Sequence, residues 1–282
     1  MPKFGPAGNS ESFAAGGRKS SLEVPEYIVE MGLDCYEYQC GRGVNIGEEK
    51  ARLLGEKAAE KGIYLSLHAP YYISMSSVDE EKRLNSISYI LASARAVNAM
   101  GGNRIVVHTG SCGKISRAEA LDLACDTMRK AVSALDEAGL SHIHICPETM
   151  GKVNQLGTLD EVLELCKTDE RLIPCIDFGH LNARDLGSLK TKSDFEGIFT
   201  SIKNALGSDR LKCFHSHFSK IEYTTGGEKR HLTFEDSVYG PDFEPVMELT
   251  LKYGCDPVFI CESAGTQAED AKRMKDYYYS LR

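Results

Sequence analysis

A single (β/α)₈ TIM barrel occupying residues 1–282 is the fold this sequence predicts, on three observations. Eight short apolar segments alternate strictly with helix-like stretches, the pattern of a parallel sheet wrapped by helices. No Pro-rich or low-complexity linker interrupts the series. The 282 residues with 42% apolar content suit one core in a barrel of roughly 250 residues. An open doubly wound sheet is the runner-up, but GxGxxG does not follow the first strand.

The first strand, KFG, runs into a Gly/Ser-rich turn, GPAGNSESFAAGGRKSS. A helix follows over Leu22 to Met31, where Val24, Ile28 and Met31 share one face. The strand LDCYEYQ leads to a helix over Glu48 to Lys61 that Gly62 stops. After IYLSLHAPYYIS, the spacing of Leu84, Ile87, Ile90, Leu91, Ala94 and Val97 marks a helix over Glu80 to Met100, closed by Gly101 and Gly102. RIVVH precedes a helix over Arg117 to Ala138, and HIHICPE a polar loop and a helix over Leu159 to Lys167. LIPCIDFGH precedes a loop and a helix over Asp194 to Leu206. LKCFHSH is followed by a long loop and a helix over Phe243 to Tyr253, and VFICE by a helix over Gln267 to Tyr279.

Seven of these segments end on or near a histidine or carboxylate: Glu37, His68, His108, Glu148, Asp177 with His180, His215 with His217, and Glu262. In a closed barrel the strand C-termini share one rim, so these scattered residues become neighbours. Imidazole suits zinc and related transition ions, and carboxylates bridge ions held about 3.5–4 Å apart. The candidate ligands His68, His108, Glu148, Asp177, His180, His215, His231 and Glu262 outnumber the needs of one four-coordinate ion, so the count predicts two or three ions. His142 and His144 alternate within a strand, upstream of its end, and read as structural. His217 shares a face with His215 and reads as a residue that supports a ligand or touches substrate.

A net charge of −8 argues against a strongly basic, nucleic-acid-coating surface and leaves room for a local basic cleft. The ten cysteines include no CxxC pair; Cys35, Cys146, Cys175, Cys213 and Cys261 fall inside apparent strands, where a reduced thiol packs as a small hydrophobe. No stretch approaches the ~20 apolar residues of a membrane span, and the N-terminus lacks a secretory apolar region. The expectation is an intracellular, cytoplasmic protein in a reducing compartment, with no membrane role and no obligatory protein partner evident.

The stretches IVVHTGS, PETMGKVNQLGTLDEVLEL, CIDFGHLNARD and HSHFSKIEYTTGGEKRHL resemble the successive signatures of endonuclease IV, the metal-dependent apurinic/apyrimidinic endonuclease family within the xylose-isomerase-like barrels. The resemblance runs with gaps from about Leu65 to the last strand, and the E-T-x-G-K block is its most specific piece. It implies hydrolysis of the phosphodiester 5′ to an abasic site in DNA, leaving a 3′-hydroxyl. It also implies zinc, as two or three ions, with manganese as the other candidate. His68 and His108 would hold the first ion, with Glu148 bridging to a second completed by Asp177, His215 and Glu262; His180 and His231 would hold the third. Glu148 and Glu262 would also orient the attacking water. Tyr71 matches the family tyrosine that enters the DNA stack, while Lys220, Lys229 and Arg230 on the long loop would contact phosphates. The family places an aspartate two residues before the last histidine; this chain has Lys229 there, with Glu228 beside it.

A second reading draws on another enzyme class. Sugar isomerases and epimerases on the same barrel use a Glu, Asp, His, Glu quartet to bind one divalent ion, and Glu148, Asp177, His215 and Glu262 would supply it, the two glutamates moving a proton beside the sugar carbonyl. The added histidines and the E-T-x-G-K block favour the nuclease; Lys229 and the acidic charge favour the isomerase. A barrel kept only as a binding scaffold accounts poorly for so many ligand types.

Overall fold

The computed structural model describes residues 1–282. Its barrel strands are β1 (Lys3–Pro6), β2 (Cys35–Gln39), β3 (Tyr64–His68), β4 (Arg104–Val107), β5 (His144–Pro147), β6 (Cys175–Asp177), β7 (His215–Phe218) and β10 (Val258–Cys261). Between them run α1 (Glu11–Ala15), α2 (Val24–Glu30), α3 (Glu48–Glu60), α4 (Glu80–Ala99), α5 (Arg117–Glu137), α6 (Leu159–Cys166), α7 (Phe178–Arg184), α8 (Lys192–Lys212), α9 (Glu244–Tyr253) and α10 (Gln267–Ser280). Every barrel pairing is parallel. The ladders form two four-stranded arcs, β2-β3-β4-β5 and β1-β10-β7-β6. Single parallel bridges join the arcs, Ala7 to Glu37 at one seam and Glu148 to Cys175 at the other, and close the barrel. The Gly8 N–H donates to the Glu37 carbonyl and the Thr149 N–H to the Cys175 carbonyl, both at 3.0 Å.

Local chemistry explains the helix starts. Ser116 caps α5 and Thr158 caps α6, each with a glutamate three residues on that bonds back to the cap. Asp177 ends β6 and caps α7, its Oδ1 accepting from the His180 N–H at 2.7 Å, so a site residue is locked by the turn it starts. A cluster of 64 buried residues packs the helices against the barrel. Phe178, Phe195, Phe199, Phe214 and Phe218 form part of it.

Three segments differ from the sequence expectation. The Gly/Ser-rich stretch after β1 contains the short α1, held by burial of Phe13 against Tyr27. The helix expected to end at Leu206 continues to Lys212 across a break at Gly207, where φ is 86°. The long loop after β7 is an antiparallel hairpin, β8 (Lys220–Thr224) with β9 (Gly227–Leu232). Cys213 precedes β7 rather than lying in it, and His142 precedes β5. All ten cysteines are free. No helix is long and apolar enough to cross a membrane.

Candidate metal centre

The interior at the C-terminal end of the barrel is polar: Glu37, His68, Glu148, Asp177, His215 and His217 are all buried. Glu148 is the hub. Its Oε2 lies 3.3 Å from His68 Nε2 and 3.2 Å from His108 Nε2. Its Oε1 lies 3.1 Å from His217 Nδ1 and 3.3 Å from His180 Nδ1. Burial pushes this carboxyl up, but charge on His217 and hydrogen bonds from His108, His180 and His217 bring it well below the usual range. Asp177, fully buried, is pushed up to about 6, chiefly by desolvation.

Four groups of donors each lie within 4.8 Å of one another: His68, Glu148 and His217; Glu148, Asp177, His217 and Glu262; His180, Glu228 and His231; and, deeper in the barrel, Cys175, His215 and His217. The first two share Glu148 and His217. His108 joins the first through its contact with Glu148 and packs edge-on to His68, ring centroids 4.9 Å apart. Thus His68, His108, Glu148, Asp177, His180, His231 and Glu262 come together at this end of the barrel.

His215 does not. In the sheet register Asp177 pairs with His217, while His215 pairs with Cys175. Two residues along a strand are about 6.6 Å, so histidines on one face occupy different depths of the barrel. His217 reaches the rim, and His215 lies one layer below. There the His215 Nε2–H donates to Glu37 Oε2 at 3.0 Å, and burial pushes His215 down to about 4, which keeps it neutral. Glu37 also accepts from Ser66 Oγ at 2.9 Å, and its Oε1 lies 2.9 Å from His217 Nε2 without the alignment of a hydrogen bond. Burial would raise Glu37, but charge on His217 and the hydrogen bond from His215 hold it well below the usual range. Sequence reasoning left Glu37 out of the site; the signal available was the alternation in C-Y-E-Y-Q, which sends Glu37 and Gln39 to one face.

The third group is built by the hairpin. Its register pairs Glu222 with Arg230 and Tyr223 with Glu228, which leaves Lys229 as an extra residue in a β-bulge. The bulge resets the alternation, so Glu228 and His231 face the same way although three residues apart. Glu228 Oε2 lies 3.4 Å from His180 Nε2, and Glu228 Oε1 3.9 Å from His231 Nε2. Ser219 shares a 2.8 Å hydrogen bond with His231 Nδ1. Lys229 turns outward onto Glu222 at 2.6 Å, and Arg230 pairs with the same carboxylate. Lys220 pairs with Asp242 and donates to the Asp236 carbonyl. These three cations lie in ion pairs and do not line the cavity over the donor groups.

A contact between two glycines seats Glu228. A Cβ on Gly151 would lie 2.6 Å from Glu228 Cβ and 2.8 Å from His180 Cδ2, and one on Gly227, where φ is 89°, would lie 2.2 Å from the Gly151 carbonyl oxygen. That carbonyl accepts from the Glu228 N–H at 3.0 Å. The glycine of the E-T-x-G-K block thus serves the hairpin.

A cavity of about 370 Å³ opens over the first three groups, and Gln39, Tyr71, Lys152 and Gln155 add to its walls. Tyr71 is exposed and lies over His108 and His68, centroids 5.8 and 6.1 Å away. A larger groove of about 630 Å³ runs over the outer helical face at α3 and α4; it holds no histidine or cysteine. His142 meets Asn98 on the surface and His144 meets the Arg171 carbonyl, away from the site.

Comparisons with known proteins agree with this architecture. A family model described as xylose isomerase-like TIM barrel matches residues 25–280. An uncharacterized protein of Methanocaldococcus jannaschii is 31% identical over 259 residues, covering 92% of each chain. A probable endonuclease 4 of Mycoplasma genitalium is 30% identical over 190 residues, covering 65% of this chain and 61% of that protein, so this chain spans under two thirds of that relative. Among solved structures, a D-tagatose 3-epimerase-like protein superposes with a TM-score of 0.75 at 21% identity, covering 99% of this chain and 97% of that one.

Proposed function

The chain belongs to the xylose isomerase-like TIM barrel family, and from its site we propose that it is a zinc-dependent endonuclease that hydrolyses the DNA phosphodiester 5′ to an abasic nucleotide. The observation that carries this reading is that three donor groups, rather than one, have members lining the cavity, above the deeper Cys175, His215 and His217. A single-ion isomerase has no use for the His68–His108 pair or for His180, Glu228 and His231. The similarity to a probable endonuclease 4 supports the same reading.

The donor set fits metal. Asp177 Oδ2 is a buried atom without a hydrogen-bond partner, the condition a ligand atom is in when its partner is an ion. Mixed imidazole and carboxylate donors suit zinc, with manganese the alternative. When bound, such ions acidify water and stabilise charge on phosphoryl oxygens. Glu148 would hold two ions, with His68 and His108 on one side and Asp177, His217 and Glu262 on the other; His180, Glu228 and His231 would hold a third.

The chain's own residues do the remaining work. Glu262, partly open to the cavity, accepts a hydrogen bond from the attacking water and aims its oxygen at phosphorus. That O–P bond forms as the bond to the 3′ oxygen breaks; one proton of the water passes through Glu262 to solvent, the departing oxygen takes one from solvent to end as a 3′-hydroxyl, and the water's other proton stays with the 5′-phosphate. Glu37 fixes the depth and ring plane of His217 from below. Tyr71, exposed over His108, offers a stacking face beside a nucleotide whose missing base makes extrusion cheap.

The second reading keeps one observation: Glu148, Asp177, His217 and Glu262 by themselves form the quartet of a one-ion sugar isomerase or epimerase. Metal content per chain after purification without chelator separates the two. Close to three ions, with incision of abasic duplex, supports the nuclease; close to one ion, with turnover of a ketose and no incision, supports the isomerase.

A further inference from the structure

Lys152 is the one lysine or arginine that lines the cavity over the donor groups, and its ammonium makes no ion pair or hydrogen bond, although Glu228 and Glu262 line the same cavity. Its main chain is fixed. Lys152 bridges Gly227 across the gap to the hairpin. The Val153 N–H donates to the Gly226 carbonyl at 3.1 Å, and the Lys152 carbonyl accepts from the Gln155 N–H at 3.0 Å.

Arg184 completes the fixation. It lies one helical turn beyond His180 on α7 and is buried. Its guanidinium donates to four main-chain carbonyls, those of Met150, Lys152, Val153 and Gln155, at 2.8 to 3.1 Å, and it meets no carboxylate. Neither Lys152 nor the Arg184 that holds its loop makes a direct ion pair, so both positive charges stand beside the cavity mouth without a carboxylate in contact. Only the rotamers of Lys152 remain free, and its Cα is anchored at the mouth of the cavity.

We propose that Lys152 forms an oxyanion subsite that binds a non-bridging oxygen of a phosphate ester lying across the donor groups. A neutral sugar offers no such oxygen, so the subsite specifies an anionic substrate. This rests on the nuclease reading.

The test uses metal-loaded protein with Lys152→Ala and Lys152→Arg. Metal content is measured first, then binding of a duplex carrying a tetrahydrofuran abasic analogue across a range of salt, then hydrolysis of bis(4-nitrophenyl) phosphate. The alanine variant is expected to keep its metal, to bind the duplex about tenfold or more weakly, and to lose about one from the slope of log affinity against log salt. It should also raise KM for the small diester more than it lowers kcat, and the arginine variant should restore most of the affinity. Unchanged duplex affinity and salt slope in the alanine variant, with wild type cleaving both diesters, overturns the subsite and leaves the nuclease reading standing. Wild-type protein that cleaves neither diester but turns over a ketose overturns both.

Discussion

The central donor groups and the hairpin group sit a few ångströms apart and are built differently. Glu148, Asp177, His217 and His68 stand on barrel strands or directly at their ends, and each is buried. Glu228 and His231 stand on β9, outside the barrel, and are only partly covered. The first set is positioned by a closed sheet, which has no other register to adopt. The second depends on a one-residue bulge and on the approach of Gly151 to Gly227. Strand-borne donors inherit their geometry from the fold, whereas hairpin-borne donors need devices of their own.

The largest effect should come from the hub. Glu148→Gln is expected to lower metal content in both central groups and to cut activity by more than about a hundredfold, the loss found when partners one layer further from a metal are removed. Metal analysis beside circular dichroism checks it; full metal occupancy with a native spectrum would show that Glu148 is not shared between sites.

Gly227→Ala attacks the hairpin device alone. The added Cβ meets the Gly151 carbonyl, so Glu228 is displaced, and the variant should bind about one ion fewer per chain while the central groups stay loaded. Equal metal loss from all groups would mean that the two regions are not separable.

Glu161 supports the loop that carries Gly151. It accepts from the Gly157 and Thr158 N–H groups and pairs with Arg117. Burial raises its pKa, but Arg117 and the two N–H donors more than reverse this, leaving it below the ordinary value. Its contribution is therefore present above the unfolded carboxyl pKa and is lost as pH falls through the lower folded value. Glu161→Gln should cost about 1–3 kcal/mol at neutral pH. The gap to wild type in denaturant melts should narrow in acid; a constant gap at all pH values would assign the loss to packing.

The smallest effect is expected at Lys229. Lys229→Ala should leave metal content unchanged, because the side chain points to Glu222. Deleting Lys229 removes the bulge and puts Glu228 two residues before His231, so the group should survive in regular alternation. Loss of the third ion on deletion would show that the bulge itself is required.

These contrasts also explain what the sequence disclosed. Strand and helix order was legible because apolar runs and Gly stops follow the chain. The strand-end donors were legible because a barrel brings those ends together whatever lies between. Depth was harder: His215 and His217 share a face, and the sheet register decides which reaches the rim. Glu37 was named as a strand end but not as a site residue, because a glutamate between tyrosines gives no sign of a partner 178 residues away. Glu228 was ambiguous because a bulge is a property of the paired hairpin and leaves no fixed spacing in one strand.

The seams of the barrel give the donor network a mechanical meaning. Glu37 bridges at one joint between the two arcs and Glu148 at the other. His217 lies between them, with Nε2 2.9 Å from Glu37 and Nδ1 3.1 Å from Glu148. The chain Glu37–His217–Glu148 is thus a tie beam across the interior, from joint to joint, through the part of the barrel where each joint has a single bridge. An ion held by Glu148 and His217 should tighten that beam, so the halves of the barrel are expected to breathe together with occupancy. Slower hydrogen exchange at the Gly8 and Thr149 amides on adding metal would register the clamp closing.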